Sequence, residues 1–82
     1  MHAMKYFLWD VAVSKLLAAS RTEPEALALV RILVDQYGDD YAEDLALGVE
    51  RDGGTAGEPL SGAVLLARTE AVLAREAATT RG

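Results

Sequence analysis

Lys5-Tyr6-Phe7-Leu8-Trp9-Asp10-Val11-Ala12-Val13 is the stretch on which the fold turns. Aromatic and β-branched residues favour a strand, because they fit a pleated, half-buried surface. Alternation places Phe7, Trp9, Val11 and Val13 on one face and Tyr6, Leu8 and Asp10 on the other. Wound as a helix, the stretch scatters Lys5, Asp10, Ser14 and Lys15 around the axis. That scatter counts against the competing reading, a single helix over residues 4–19. Residues 16–20 continue as a second strand, and the pair makes a hairpin whose turn lacks the Gly or Asn that tight hairpins favour.

Downstream the signals are clearer. Thr22-Glu23-Pro24-Glu25 is a capping box, in which the Thr22 hydroxyl accepts from the Glu25 amide and Glu25 reaches back. Pro24 suits a first helical turn, where a missing N–H costs nothing. Glu23 and Glu25 complement the positive end of the helix dipole. The helix runs to Tyr37, and Gly38 supplies a left-handed stop. Its apolar stripe is Ala26, Leu29, Val30, Leu33, Val34 and Tyr37, flanked by Leu27. Ala28, Arg31 and Asp35 lie opposite, and Ile32 falls outside the stripe.

Asp39-Asp40-Tyr41-Ala42-Glu43-Asp44 reads as a polar linker, and residues 45–50 as a short strand with Leu45, Leu47 and Val49 alternating against Ala46 and Gly48. Residues 51–59 are rich in Gly and close with Pro59, which marks a loop. Residues 61–74 form a last helix with Leu65, Leu66, Val72 and Leu73 on its apolar side and Thr69 in the middle. The expected fold is therefore an α+β domain of β-β-α-β-α order. It has a three-stranded antiparallel sheet, order 2-1-3, with the helices packed on it. The first strand is central, which suits its aromatics as core. The long helix covers one face; the other shows Tyr6 and Leu8 to the last helix or to a partner chain. Residues 1–82 make one small globular domain, with disordered ends at 1–3 and 77–82.

The 82 residues carry 13 acids against 8 Lys plus Arg, a net charge of -5, with no Cys and one His. At 51% hydrophobic the chain is too apolar for disorder. A domain this small has a thin stability margin, and many such domains widen it with a disulfide, a metal or self-association. Disulfides and zinc–thiolate sites are excluded without Cys, which leaves the core alone or self-association, and of the two we expect a homodimer. Scattered basic residues disfavour nucleic acid as a partner. Lys5, an apolar run and Ala18-Ala19-Ser20 mimic a signal peptide. Asp10 and Lys15 cut the run short of the ~7–15 apolar residues such a leader needs. No run reaches the ~20 apolar residues of a membrane span. The expected location is the cytoplasm of a bacterium, with Ala, Leu and Arg usage that fits a GC-rich genome.

Candidate chemistry is sparse. Asp39, Asp40, Glu43 and Asp44 offer oxygen ligands for calcium or magnesium but lack the EF-hand spacing, and a solvated connection or a docking patch for a basic partner fits better. Asp52-Gly53-Gly54 with Gly57 matches neither nucleotide fingerprint. His2 sits at the extreme N-terminus, and Ser14, Ser20 and Ser61 have no His base, so no catalytic, cofactor-binding or metal-ligating residue is assigned. Trp9 and Tyr6 are read as core aromatics, Tyr37 and Tyr41 as closing the core over Gly38, and Ile32 as a candidate interface residue. The β-β-α-β order also occurs in HicB-type antitoxins, but no motif here carries that resemblance, and fold alone does not give function. The expected function is a non-enzymatic protein-interaction module acting as a homodimer. The alternatives are an antitoxin-like, nucleic-acid-linked regulator gathering Arg68 and Arg75 into a basic strip, and a metal-binding protein built on residues 39–44.

Overall fold

A computed structural model describes residues 4–52 and 54–80 of the chain. Strands β1 (Met4–Asp10) and β2 (Lys15–Ser20) form an antiparallel hairpin, with Trp9 opposite Leu16 and Asp10 opposite Lys15. The turn manages without Gly because Ser14 takes the left-handed conformation at φ 53°. The Asp10 side chain accepts from the Ala12 amide at 3.0 Å, and the Val11 amide donates to the Asp44 carbonyl at 2.8 Å. A short polar side chain bonded to the backbone two residues on is the usual substitute for a glycine turn. Val11 and Val13 therefore lie in the turn, exposed, and do not extend the strand. A bulge between Leu8 and Trp9 leaves Leu17 as the extra residue of β2, and both Leu17 and Ala18 pack against the core.

Helix α1 (Glu23–Tyr37) starts as its sequence dictates, with the Glu25 amide donating to the Thr22 hydroxyl at 3.4 Å. Gly38 ends it at φ 98° and ψ 159°, a positive-φ conformation open to glycine but outside the left-handed helical basin expected, while its amide still caps Val34 at 2.7 Å. The residues read as a polar linker form a 3-10 helix (Asp39–Asp44) that buries Ala42. Strand β3 (Leu45–Arg51) follows and pairs with β1 along its whole length.

The three-stranded sheet expected from the sequence is corrected here. Two short strands, β4 (Gly54–Thr55) and β5 (Leu60–Ser61), both pair with β3, giving a five-stranded antiparallel sheet ordered β2-β1-β3-β4 with β5 also on β3. The Gly-rich run hides these two-residue strands, which are too short to show a period. Helix α2 (Gly62–Thr80) then outruns the expected 61–74 span, carrying regular helix into the stretch expected to be disordered from residue 77. Residues 79 and 80 continue it; Ala77, Ala78 and Ala74 are strong helix formers. The expectations for residues 1–3 and 81–82 lie outside the described residues.

The core joins Leu8, Leu45 and Leu47 from the sheet, Ala26, Leu27, Val30 and Val34 from α1, and Leu65 and Val72 from α2. The stripe on α1 is rotated from its expected centre: Leu27 is fully buried and Tyr37 is 62% exposed. Thr69 is buried, and its hydroxyl donates to the Leu65 carbonyl at 2.7 Å. Both helices lie on the face that carries Leu8, so the thinnest dimension is 17 Å, room for one sheet and one helical layer. The expected sides of β1 are thereby exchanged. Leu8 is wholly buried, and Trp9, read as core, is 40% exposed on the face no helix covers. The reason lies in β3. Its leucines 45 and 47 stand on the same face as Leu8, and its small residues Ala46 and Gly48 stand beside Trp9 and Phe7. The helices follow the thicker aliphatic layer.

Candidate functional site

The uncovered sheet face is built by strand alternation. Lys5, Phe7 and Trp9 point from β1, and their register partners Glu50, Gly48 and Ala46 point from β3. Leu16, opposite Trp9, and Ala19, opposite Phe7, extend the face across β2. A trough of about 420 Å³ runs over it, lined by Phe7, Trp9, Leu16, Ala46, Gly48 and Pro59 among others. Trp9 and Leu16 are 40% and 41% exposed. An antiparallel sheet open to water ordinarily alternates apolar-in with polar-out. Here the middle of the outward face is apolar, and only Lys5 and Glu50 at one end are charged.

A second concavity, about 470 Å³, lies at the far end of α1 between Leu17, Leu33, Tyr37, Tyr41, Asp40 and Asp44. The rings of Tyr37 and Tyr41 meet at 5.2 Å and 59°. The Tyr41 hydroxyl donates to Asp10 at 2.8 Å. That bond, then burial and the neighbouring carboxylates, hold the phenol above its ordinary value of 10.0. Tyr41 thus packs on the core as expected, and Tyr37 does not. A third groove, about 260 Å³, separates the start of α1 from α2.

Other residues singled out from the sequence are dispersed. Asp39, Asp40, Glu43 and Asp44 are all exposed along the 3-10 helix. Among the described residues no three His, Cys, Asp or Glu side chains stand close enough to hold a metal ion. Arg68, expected to join Arg75 in a basic strip, is ion-paired in the single chain. Its guanidinium grips Glu23 through two bonds, 2.9 and 2.7 Å, and is pushed above its usual value by that carboxylate. Ile32 is 59% exposed, among the exposed Ala28, Arg31, Asp35 and Gln36, so it is the one large apolar side chain in that group. Tyr6 packs against the core from the helix side. His2 lies outside the described residues. Every buried side-chain nitrogen or oxygen among the described residues has a hydrogen-bond partner. No helix among them is long and apolar enough to cross a membrane.

Comparison with family models, with curated proteins and with solved structures finds no match to this chain.

The face carrying Phe7, Trp9 and Leu16 was half-legible in the sequence. Alternation groups Phe7 with Trp9, but which side the helices take depends on the partner strand, whose pairing the sequence alone does not display.

Proposed function

We propose that this chain is a non-enzymatic protein-interaction module whose working surface is the uncovered face of the sheet. The observation that carries the proposal is Trp9, 40% exposed on an inner strand of that face with apolar neighbours on both adjoining strands. Contiguous exposed apolar surface of this kind marks interaction sites in soluble proteins, and aromatic residues are enriched where partners dock. The catalytic alternative has less support: Asp39, Asp40, Glu43 and Asp44 are all exposed, and the one buried polar side chain among the described residues, Thr69, is spent on its own helix. The nucleic-acid-linked alternative rested on Arg68 and Arg75, and Arg68 is engaged by Glu23. The Cys-free composition fits a reducing compartment, so the cytoplasm is part of the proposal.

The test is a photo-activatable phenylalanine analogue at Leu16, on the rim of the face, with a control at Ala28 on the outer side of α1. Irradiation in cells producing the full chain is expected to give protein adducts from position 16 and none from position 28. Adducts from position 28 alone, or from neither, would remove the sheet face as the working surface.

A further inference from the structure

We infer that the occupant of the uncovered face is a second copy of this chain, stacked sheet to sheet about a two-fold axis that runs parallel to the strands between β1 and β3. The inference rests on the reading of that face as the working surface. It comes from the pairing register. Across β1 and β3 the outward-facing partners are Lys5 with Glu50, Phe7 with Gly48, and Trp9 with Ala46. In each pair the large or positive member is on β1, and the small or negative member is on β3.

A two-fold axis midway between the strands exchanges their positions and keeps the height along them. Each outward residue of one copy then lies over the register partner of the same residue in the other. Phe7 covers the partner's Gly48, Trp9 covers the partner's Ala46, and Lys5 faces the partner's Glu50. Aligned sheets pack about 10 Å apart and cross at about 30°, so the match is closest at Phe7 and loosens toward the ends. A two-fold interface must be complementary to itself, and this face is, in both size and charge. A different protein would place no such condition on it.

Charge favours the same answer. The chain carries -5, so copies repel over most of their surface. Strands β1 and β3 contribute one Lys and one Glu to this face, which is neutral between them. Size sets the strength. Four strands side by side, the two central ones of seven residues, span about 19 by 24 Å, roughly 450 Å² in plan before side-chain relief is counted. A standard interface takes roughly 800 Å² of accessible surface from each partner. The dimer therefore sits at the small end of stable interfaces and comes apart on dilution.

Sedimentation equilibrium of the purified full chain over a wide concentration range is the test. Wild type is expected to approach twice the 8.7 kDa chain mass as concentration rises. Gly48→Leu is the blocking variant. Within the chain a Cβ at Gly48 meets nothing nearer than the Phe7 carbonyl oxygen at 4.0 Å, so the new side chain leaves the backbone without a clash, while the stack places it against the partner's Phe7. It is expected to stay at the monomer mass with its circular dichroism unchanged. Lys5→Glu and Glu50→Lys are each expected to weaken the dimer, and an equimolar mixture of the two to regain it by pairing unlike copies. Ile32→Asp is expected to leave the mass unchanged.

Monomer mass in wild type at every concentration overturns the inference, as does a dimer that tolerates Gly48→Leu. In the first case, adducts with another protein from position 16 would show that the face docks a different partner and leave the broader reading standing. A dimer split by Ile32→Asp and not by Gly48→Leu would move the interface to α1.

Discussion

Leu8 and Trp9 are neighbours on one strand, and the fold assigns them opposite fates. Leu8 is fully buried beneath the helices, whereas Trp9 is 40% exposed on the open face. Truncating Leu8 to Ala removes its transfer free energy and leaves a cavity in the middle of the core, which costs about 3–4 kcal/mol. A chain of 82 residues has about 4–12 kcal/mol in total, at roughly 0.05–0.15 kcal/mol per residue. Leu8→Ala therefore removes about a quarter or more of the stability and lowers the thermal midpoint by about 12–30 °C. Trp9→Ala gives up cross-strand contacts with Ala46 and Leu16 but opens no cavity, so its cost is about 1–2 kcal/mol. Urea unfolding followed by far-ultraviolet circular dichroism, at a dilution where single chains dominate, measures both. The expected result is a clearly larger loss for Leu8→Ala than for Trp9→Ala. A loss for Trp9→Ala equal to or above that for Leu8→Ala would refute the assignment of the two faces, because it would place the aromatic side in the core.

Gly62 opens α2 at φ 58°, and a Cβ there would strike the Glu43 carboxylate, so Gly62→Ala is expected to cost about 1–2 kcal/mol, most of it conformational. Denaturant midpoints check this, and Gly62→Ala together with Glu43→Ala should recover only the steric part. Tyr41 has its phenol raised above 10.0 in the folded chain, so the native state holds that proton more tightly than the unfolded one. Its contribution to stability is complete below pH 10 and is lost as pH climbs through the raised value. Absorbance titration at alkaline pH should show the Tyr41 phenol titrating earlier in Asp10→Asn than in wild type. The Arg68–Glu23 pair is bidentate but half in water, with side-chain exposures of 44% and 20%, so a double-mutant cycle with Arg68→Ala and Glu23→Gln should give coupling of about 0.5–1 kcal/mol that shrinks with salt.

Local chemistry was legible in the sequence where one residue sufficed to carry it. The Thr22 cap, Pro24 in the first turn and the Gly38 stop mark α1 without any tertiary information. The alternation of β1 also reads directly, and so do Leu65, Thr69 and Val72 as the inner side of α2. What stayed hidden depends on partners. The hairpin turn relies on Ser14 at positive φ and on a carboxylate, Asp10, that also serves Tyr41. The 3-10 helix passes as a polar linker because five of its six residues are polar or aromatic, and only Ala42 goes inside. Strands β4 and β5 are two residues each and exist only because β3 offers an edge. The working face shows the same limit: Phe7 and Trp9 are obvious as a pair, but their exposure follows from where Leu45 and Leu47 fall when β3 pairs with β1.

Trp9 is the only tryptophan in the chain and lies on the proposed surface, so its fluorescence reports on whether that surface is covered. Acrylamide quenching should be measured from nanomolar to millimolar chain concentration. Emission is expected to be red-shifted and readily quenched at high dilution, and blue-shifted and protected as copies stack, with no such change in Gly48→Leu. Emission already blue-shifted and protected at the highest dilution would contradict this, because Trp9 would then be covered within the single chain.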